Sequence, residues 1–386
     1  DPAARLRAAV ALCCCGAAME GAQRFLDEGL PLLEKECAAQ VLGDGGHVSR
    51  SPEALAETLI DVHVVEDLLL RTGRTAPAFL AKLQPRMAAM LSFFTRPSGD
   101  LLAVNGGGDG AGRLAPAALA PFAAKEARFS FARLSGFQRV QADELTVYMD
   151  AEGGPERPHG GRAHAGALAI TVDDGPEGLI TACAAHADLD PSLREAARRT
   201  AAHSVLSVQG EDAAPFVPDP ATGRRAPQGP TGLSVRRLEE NDQFLLEGQH
   251  AGWRARQGVV YRRRLYIERN GARLTGEDSL FRPVLDAGPA PSGRTPYEVR
   301  FHLHPDAQLA EGPDPKTLLI GLPKRQRVWR FRSEAVLSVE ESRYWGGEFA
   351  QNTKQIVLRD EADAGSDGSR PPNRIRWALS RLEPGA

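Results

Sequence analysis

Residues 162–204 read RAHAGALAITVDDGPEGLITACAAHADLDPSLREAARRTAAHS. Two short apolar runs, Ala167–Val172 and Leu179–Cys183, flank the turn Asp173-Asp174-Gly175, which is the signature of strand, turn and strand. His164 precedes the first run, Cys183 closes the second, and His203 follows after a loop. Two imidazoles and a thiol near neighbouring strands are a candidate metal set, with nitrogen and sulfur donors at zinc-like distances of about 2.0–2.3 Å. Arg162, two residues before His164, points to the same side if the strand already runs there.

Downstream of residue 128 the apolar period is 2. Ser135–Val140 and Leu145–Asp150 form a predicted hairpin. Further predicted strands include Ser204–Gln209, Val259–Glu268, Ala272–Leu280, Tyr297–His304, Thr317–Leu322 and Arg374–Leu379. Asn270-Gly271 marks a tight hairpin turn between two of them. So many short strands separated by Pro and Gly indicate a large antiparallel β-sandwich. Asp212–Gly232 and Asp363–Asn373 are polar, rich in Pro and Gly, and read as surface loops.

Upstream the period is 3.6. Residues 3–41 fit two amphipathic helices, and further helices are expected over about 52–72, 76–94 and 115–125. Ser51-Pro52-Glu53 is a helix start, with a capping serine and proline at the first helical position. The expected organisation is therefore multidomain, α then β: a helical part over 1–126 and the sandwich over 127–386. The opening Asp1-Pro2-Ala3 reads as the middle of a helical region, so the chain is expected to be a processed or truncated piece of something longer.

The bulk numbers exclude several classes. With 42% apolar and 25% charged residues the 386-residue chain is an ordinary globular one. A net charge of −3 gives no sign of nucleic-acid binding. No apolar run approaches the roughly 20 residues of a membrane span. The five cysteines, three of them consecutive at Cys13, Cys14 and Cys15, do not look like a disulfide framework.

In order along the chain, DGGHVSRSP at 44–52, NGGG at 105–108, AHAGAL at 163–168, RRTAAHS at 198–204 and FHLHP at 301–305 resemble the heparinase II/III-like proteins, of the alphaproteobacterial type. The resemblance implies a partial α/α toroid followed by a β-sandwich, and polysaccharide lyase activity. It also implies a structural zinc held by His164 and His203, with Cys183 as a stand-in beside Ala182, where the family carries an Asp. Arg162 falls where the family has a catalytic His, and His47 where its toroid supplies an Asn or His. The family's toroid tyrosine has no counterpart, because the first tyrosine is Tyr148.

A uronate lyase removes the proton alpha to a carboxylate and expels the 4-linked oxygen. It must neutralise the carboxylate, place a base and supply an acid. Arg50 or Arg162 would clamp the carboxylate. His47, with an ordinary pKa of about 6.5, would act as base or donor, and Asn105 would add a neutral donor. The bland alternatives are a loop anchor for His47, an interdomain salt bridge for Arg50 and a solvated charge for Arg162.

Two functions follow as expectations. One is a lyase acting on an acidic polysaccharide by β-elimination, in a cleft between the two parts. The other is a catalytically lapsed glycan-binding or cell-envelope accessory protein of the same fold. The resemblance points to the periplasm or cell envelope, while the unpaired cysteines are also compatible with the cytoplasm.

Overall fold

A computed structural model describes residues 2–108, 112–122, 129–155, 158–185, 189–219, 223–282, 293–363 and 372–383. Five helices come first: α1 (Pro2–Ala18), α2 (Gln23–Gln40), α3 (Pro52–Arg71), α4 (Ala78–Phe94) and the short α5 (Leu114–Leu119). They bury Leu33, Leu59, Val62, Met87 and Leu91 in one core. α3 begins as its sequence dictates, with Ser51 Oγ accepting from the Ala54 amide and Pro52 in the first turn. Cys13 is buried and Cys15 exposed, as helical rotation requires. The expected helix end at 125 and the boundary at 126 and 127 lie outside the described residues.

The strands form two large antiparallel sheets. One runs in the order Phe131–Ala132, Phe137–Ala142, Leu145–Asp150, Ile170–Asp174, Glu177–Thr181, Arg294–Leu303, Gln351–Asp363 and Val336–Tyr344, with Leu206–Val208 also pairing to Arg294–Leu303. The other runs Gln308–Glu311, Thr317–Leu322, Arg327–Ser333, Arg374–Arg381, Arg273–Phe281, Val260–Glu268, Gln243–His250 and Ser234–Glu239. Their inner faces share one core: Val147, Ile180 and Phe301 from the first sheet meet Leu265, Trp329 and Trp377 from the second. Phe301 and Trp377 are in edge contact at 4.7 Å. Each such side chain contributes about 1.5–3 kcal/mol by burial. Gly271 supplies the left-handed turn between Val260–Glu268 and Arg273–Phe281, at φ 65°.

The basic run at 262–264 alternates with the pleat. Arg263 is wholly buried, pairs with Asp278 at 2.8 Å and donates to the carbonyls of Leu168 and Ser204, while its two neighbours face outward.

Two departures from expectation matter. The segment 212–232 is more than a loop, because Phe216–Pro218 pairs with Arg225–Pro227 as a small separate ribbon. A helix (α6, Pro191–Ala197), capped by Asp190, stands before His203. Both turn toward the same cleft.

The helices dock on the outer face of the first sheet. Phe94 meets Phe137 edge-on at 5.1 Å, and Phe93 meets Tyr148 at 6.3 Å. A buried Arg96–Asp173 pair at 2.6 Å crosses the same junction. Tyr148 is consumed there. Its ring packs in the helical core and burial pushes its phenol well above the ordinary range.

Candidate functional site: an interdomain cleft and the brace behind it

The loop after α2 closes tightly. Val41 bridges His47, the Leu42 amide donates to the Gly46 carbonyl and the Val48 amide to that of Gln40. Gly45 lies at φ 95°, where a Cβ would sit 2.2 Å from the Arg86 carbonyl oxygen, so only glycine fits. Asp44 docks the loop on the sandwich by accepting from the amides of Leu134 and Ser135 at 2.9 and 2.8 Å.

That closure splits the expected site residues into two groups. Arg50 turns inward at φ 58°. Its guanidinium pairs with Asp150 at 2.5 Å, donates to the carbonyls of Ser135, Gly136 and Gly153, and lies over the Phe137 ring. Four of its five N–H donors are spent and the group is buried, so it is a brace between the helical part and the sandwich rather than a clamp for a substrate carboxylate. Asn105, also left-handed at φ 47°, is spent in the same way. Its Nδ2 donates to the Arg50 carbonyl at 3.0 Å, and its Oδ1 accepts from the His164 amide at 2.9 Å.

His47 and Arg162 do face the cleft. The cleft comprises a cavity of about 440 Å³ and an adjoining one of about 280 Å³, which share Gly161, Arg162 and Arg224 in their walls. Arg162 sits in a 3₁₀ turn, not the strand the sequence suggested. It reaches Glu53 at 3.2 Å and Glu57 at 3.7 Å across the cleft and keeps about a third of its side chain exposed. The larger cavity also carries Arg194, Arg198, Arg224 and Arg225 against only Glu53 and Glu195, so its wall is strongly basic. Sequence reading singled out neither Arg224 and Arg225, at a ribbon strand read as loop, nor Arg198, which opens the RRTAAHS motif. Arg198 is held by the carbonyls of Ala163 and Arg225, both at 2.8 Å.

His47 lines the smaller cavity beside Asp61 and His159. Burial, reinforced by His159 and Arg162, lowers its pKa to about 3. The Ser49 amide donates to Nδ1 at 3.1 Å, and a backbone amide can only donate. The proton of the neutral ring is therefore on Nε2. His47 is a donor here, and its tautomer is the wrong one for a base at Nε2. Burial raises the neighbouring Asp61 carboxyl above the ordinary carboxylate range. Among the described residues lining these two cavities there is no tyrosine.

The expected metal residues also divide. His164 Nδ1 and His203 Nε2 are 3.0 Å apart. Cys183 does not join them: its thiol lies 3.6 Å from His302 Nδ1 and 3.9 Å from Ser342. Ala182, its neighbour, shares a small internal cavity with His164 and His203. Successive residues of an extended chain point to opposite sides, so the thiol cannot stand in for a donor at 182. Gly166 offers nothing either, since a Cβ there would come within 2.8 Å of the His203 ring. No group of three or more His, Cys, Asp or Glu placed to hold a metal occurs among the described residues. Among the described residues the donor set is two imidazoles bonded to each other, and that set does not fit a structural zinc.

The helical layer, the two-sheet sandwich and the cleft between them are the architecture of heparinases of known structure. Residues 124–378 match the family described as Heparinase II/III-like, C-terminal. The chain belongs to the heparinase II/III-like family. It is 32% identical over 397 residues to FtsZ-localized protein C of Caulobacter vibrioides, covering 99% of this chain and 66% of that protein. It superposes on the heparan sulfate lyase HepC from Pedobacter heparinus with a TM-score of 0.69 at 12% identity, over 98% of this chain and 59% of that one. A solved heparinase III gives 0.72 at 11% identity, over 97% and 59%. The chain thus spans about two thirds of the length of the curated relative and about three fifths of the lyases. No described helix is long and apolar enough to cross a membrane.

Proposed function

We propose that this chain binds an acidic glycan in the interdomain cleft and does not cleave it. The observation that carries this reading is the dispersal of the lyase apparatus. Arg50 and Asn105 are spent as braces, and Arg162 stands where the resemblance calls for a histidine. His47 is a donor, and the described cleft wall has no tyrosine. What remains is a basic cavity suited to carboxylate or sulfate groups, with Arg162 at its waist. The relative named for its localisation with FtsZ supports a localised accessory role over a degradative one, and the cell envelope is the setting we propose for it.

Calorimetric titration with heparan sulfate, hyaluronate, alginate and polygalacturonate oligosaccharides tests it. One member should bind, more weakly at high salt, and Arg162→Ala should cost about tenfold in affinity. Unchanged binding by that variant would remove the cleft from the account. A second reading, a β-eliminating lyase, is favoured by one feature. The His47 Nε2–H and the Arg162 guanidinium share a cavity and would together neutralise a uronate carboxylate. It leaves the base to Asp61 or His159, on the wall of the same cavity.

A further inference from the structure

The two cavities of the cleft differ in what their walls can pair with. α3 runs along both. Glu53, in its first turn, lines the larger cavity, and Ala54, Glu57, Thr58 and Asp61, on one helical face, line the smaller. Glu57 is engaged by Arg7 at 3.4 Å and by Arg162 at 3.7 Å. Asp61, one turn further, is half-buried and has no hydrogen-bond or ion-pair partner among the described residues. Burial raises its carboxyl, Arg7 offsets part of that, and Glu57 adds to it. From the loop side, His47 lines the same cavity and is more than nine-tenths buried. Ser49 takes its Nδ1, through the amide at 3.1 Å and the hydroxyl at 2.7 Å. The Nε2–H has no partner among the described residues and is not sealed in the interior, so it is the polar edge the ring turns to the cavity.

A lone carboxylate acceptor and a lone N–H donor in one cavity discriminate between ligand groups. A ligand carboxylate or sulfate can accept from His47 but has no hydrogen for Asp61, and it meets two carboxylates on the wall. An ammonium can donate to Asp61 but has no lone pair for His47. A hydroxyl does both. The larger cavity has the reverse character, with five arginines against two glutamates. The two cavities meet at Arg162 and Arg224, so one oligosaccharide can span both. We propose that the smaller cavity is a subsite for an uncharged, hydroxylated sugar, read by Asp61 as acceptor and His47 as donor, so that the cleft selects a chain in which an acidic sugar adjoins a neutral one. This subsite rests on the glycan-binding reading of the cleft for its acidic neighbour.

Calorimetric titration of the full chain with two tetrasaccharides tests it. One is tetragalacturonate, acidic at every position. The other is a hyaluronate tetrasaccharide, in which glucuronate alternates with neutral N-acetylglucosamine. The alternating ligand should bind about tenfold more tightly, although it carries fewer charges. Asp61→Ala should weaken the alternating ligand about tenfold and leave the uniform acid unchanged or tighter, because a repelling carboxylate is gone. Asp61→Asn keeps an oxygen acceptor and should restore part of the loss. Arg162→Ala should weaken both ligands alike. Asp61 has no partner in the fold, so its variants should unfold at the parent's urea midpoint. Equal affinity for the two tetrasaccharides, or an Asp61→Ala loss that falls on both alike, would overturn the subsite, while binding that depends on Arg162 would keep the glycan reading. Binding of neither, with none from the heparan sulfate or alginate oligosaccharides, would overturn that reading and the subsite with it.

Discussion

Arg50 and Arg162 both sit at the meeting of helices and sandwich, and they have opposite fates. Arg50 is buried, with its guanidinium spread over one carboxylate and three carbonyls. Arg162 is a third exposed and, among the described residues, pairs with two glutamates across a cavity. One region is a saturated brace and the other an open, charged wall. The lesson is that polar residues near a cleft are functional candidates only when their hydrogen-bonding capacity is not already spent on the fold. Arg50, Asn105, Leu168 and Ala184 all lie at left-handed φ between 47° and 64°, so backbone strain gathers around this junction and the brace has to hold it.

The largest expected effect comes from breaking the brace. Asp150→Ala leaves the Arg50 charge buried without its carboxylate and should cost about 3–5 kcal/mol in urea denaturation. A loss below 1 kcal/mol would mean that the carbonyls alone suffice. Asn105→Ala strands the His164 amide and the Arg50 carbonyl, for a loss of about 1–3 kcal/mol by the same assay.

Acid probes both regions at once. His47, His203, His250 and His302 have folded pKa values lowered by burial to about 3, 4, 3 and 3. The unfolded chain then binds protons that the folded one refuses. Their contribution to stability is full above about pH 6.5 and is lost as pH falls from there toward about 4 and below. The slope approaches about 1.4 kcal/mol per pH unit for each ring. A denaturation midpoint flat from pH 7 to pH 4 would contradict their burial as neutral rings. The smallest effect on stability belongs to the open wall. Arg162→Ala should change it by less than about 1 kcal/mol, because a part-exposed ion pair is worth little. Its cost should appear in ligand affinity instead.

Much of the fold was legible from periodicity. Leu145–Asp150 and Thr317–Leu322 fall where the pattern placed them. The ribbon Phe216–Pro218 with Arg225–Pro227 was not, because three-residue strands containing proline carry no usable period. The site was less legible for a sharper reason. Sequence places Arg50 and Arg162 beside the same motifs, but what separates them is Asp150, a hundred positions from Arg50, and Glu53 at the start of α3. Cys183 could have been set aside earlier. It follows Ala182 on an extended run, and alternation already turned its thiol away from the histidines, toward His302.

The central claim is a lyase fold that binds without cutting. Elimination at a uronate creates a conjugated double bond that absorbs in the ultraviolet, and hydrolysis does not. The direct measurement is ultraviolet absorbance of the purified protein with heparan sulfate, hyaluronate, alginate, polygalacturonate and bacterial exopolysaccharides. The account predicts no rising band on any polymer, including the one that calorimetry shows to bind. A band that grows with enzyme and time, and is lost in His47→Ala, would contradict it and restore the β-elimination reading.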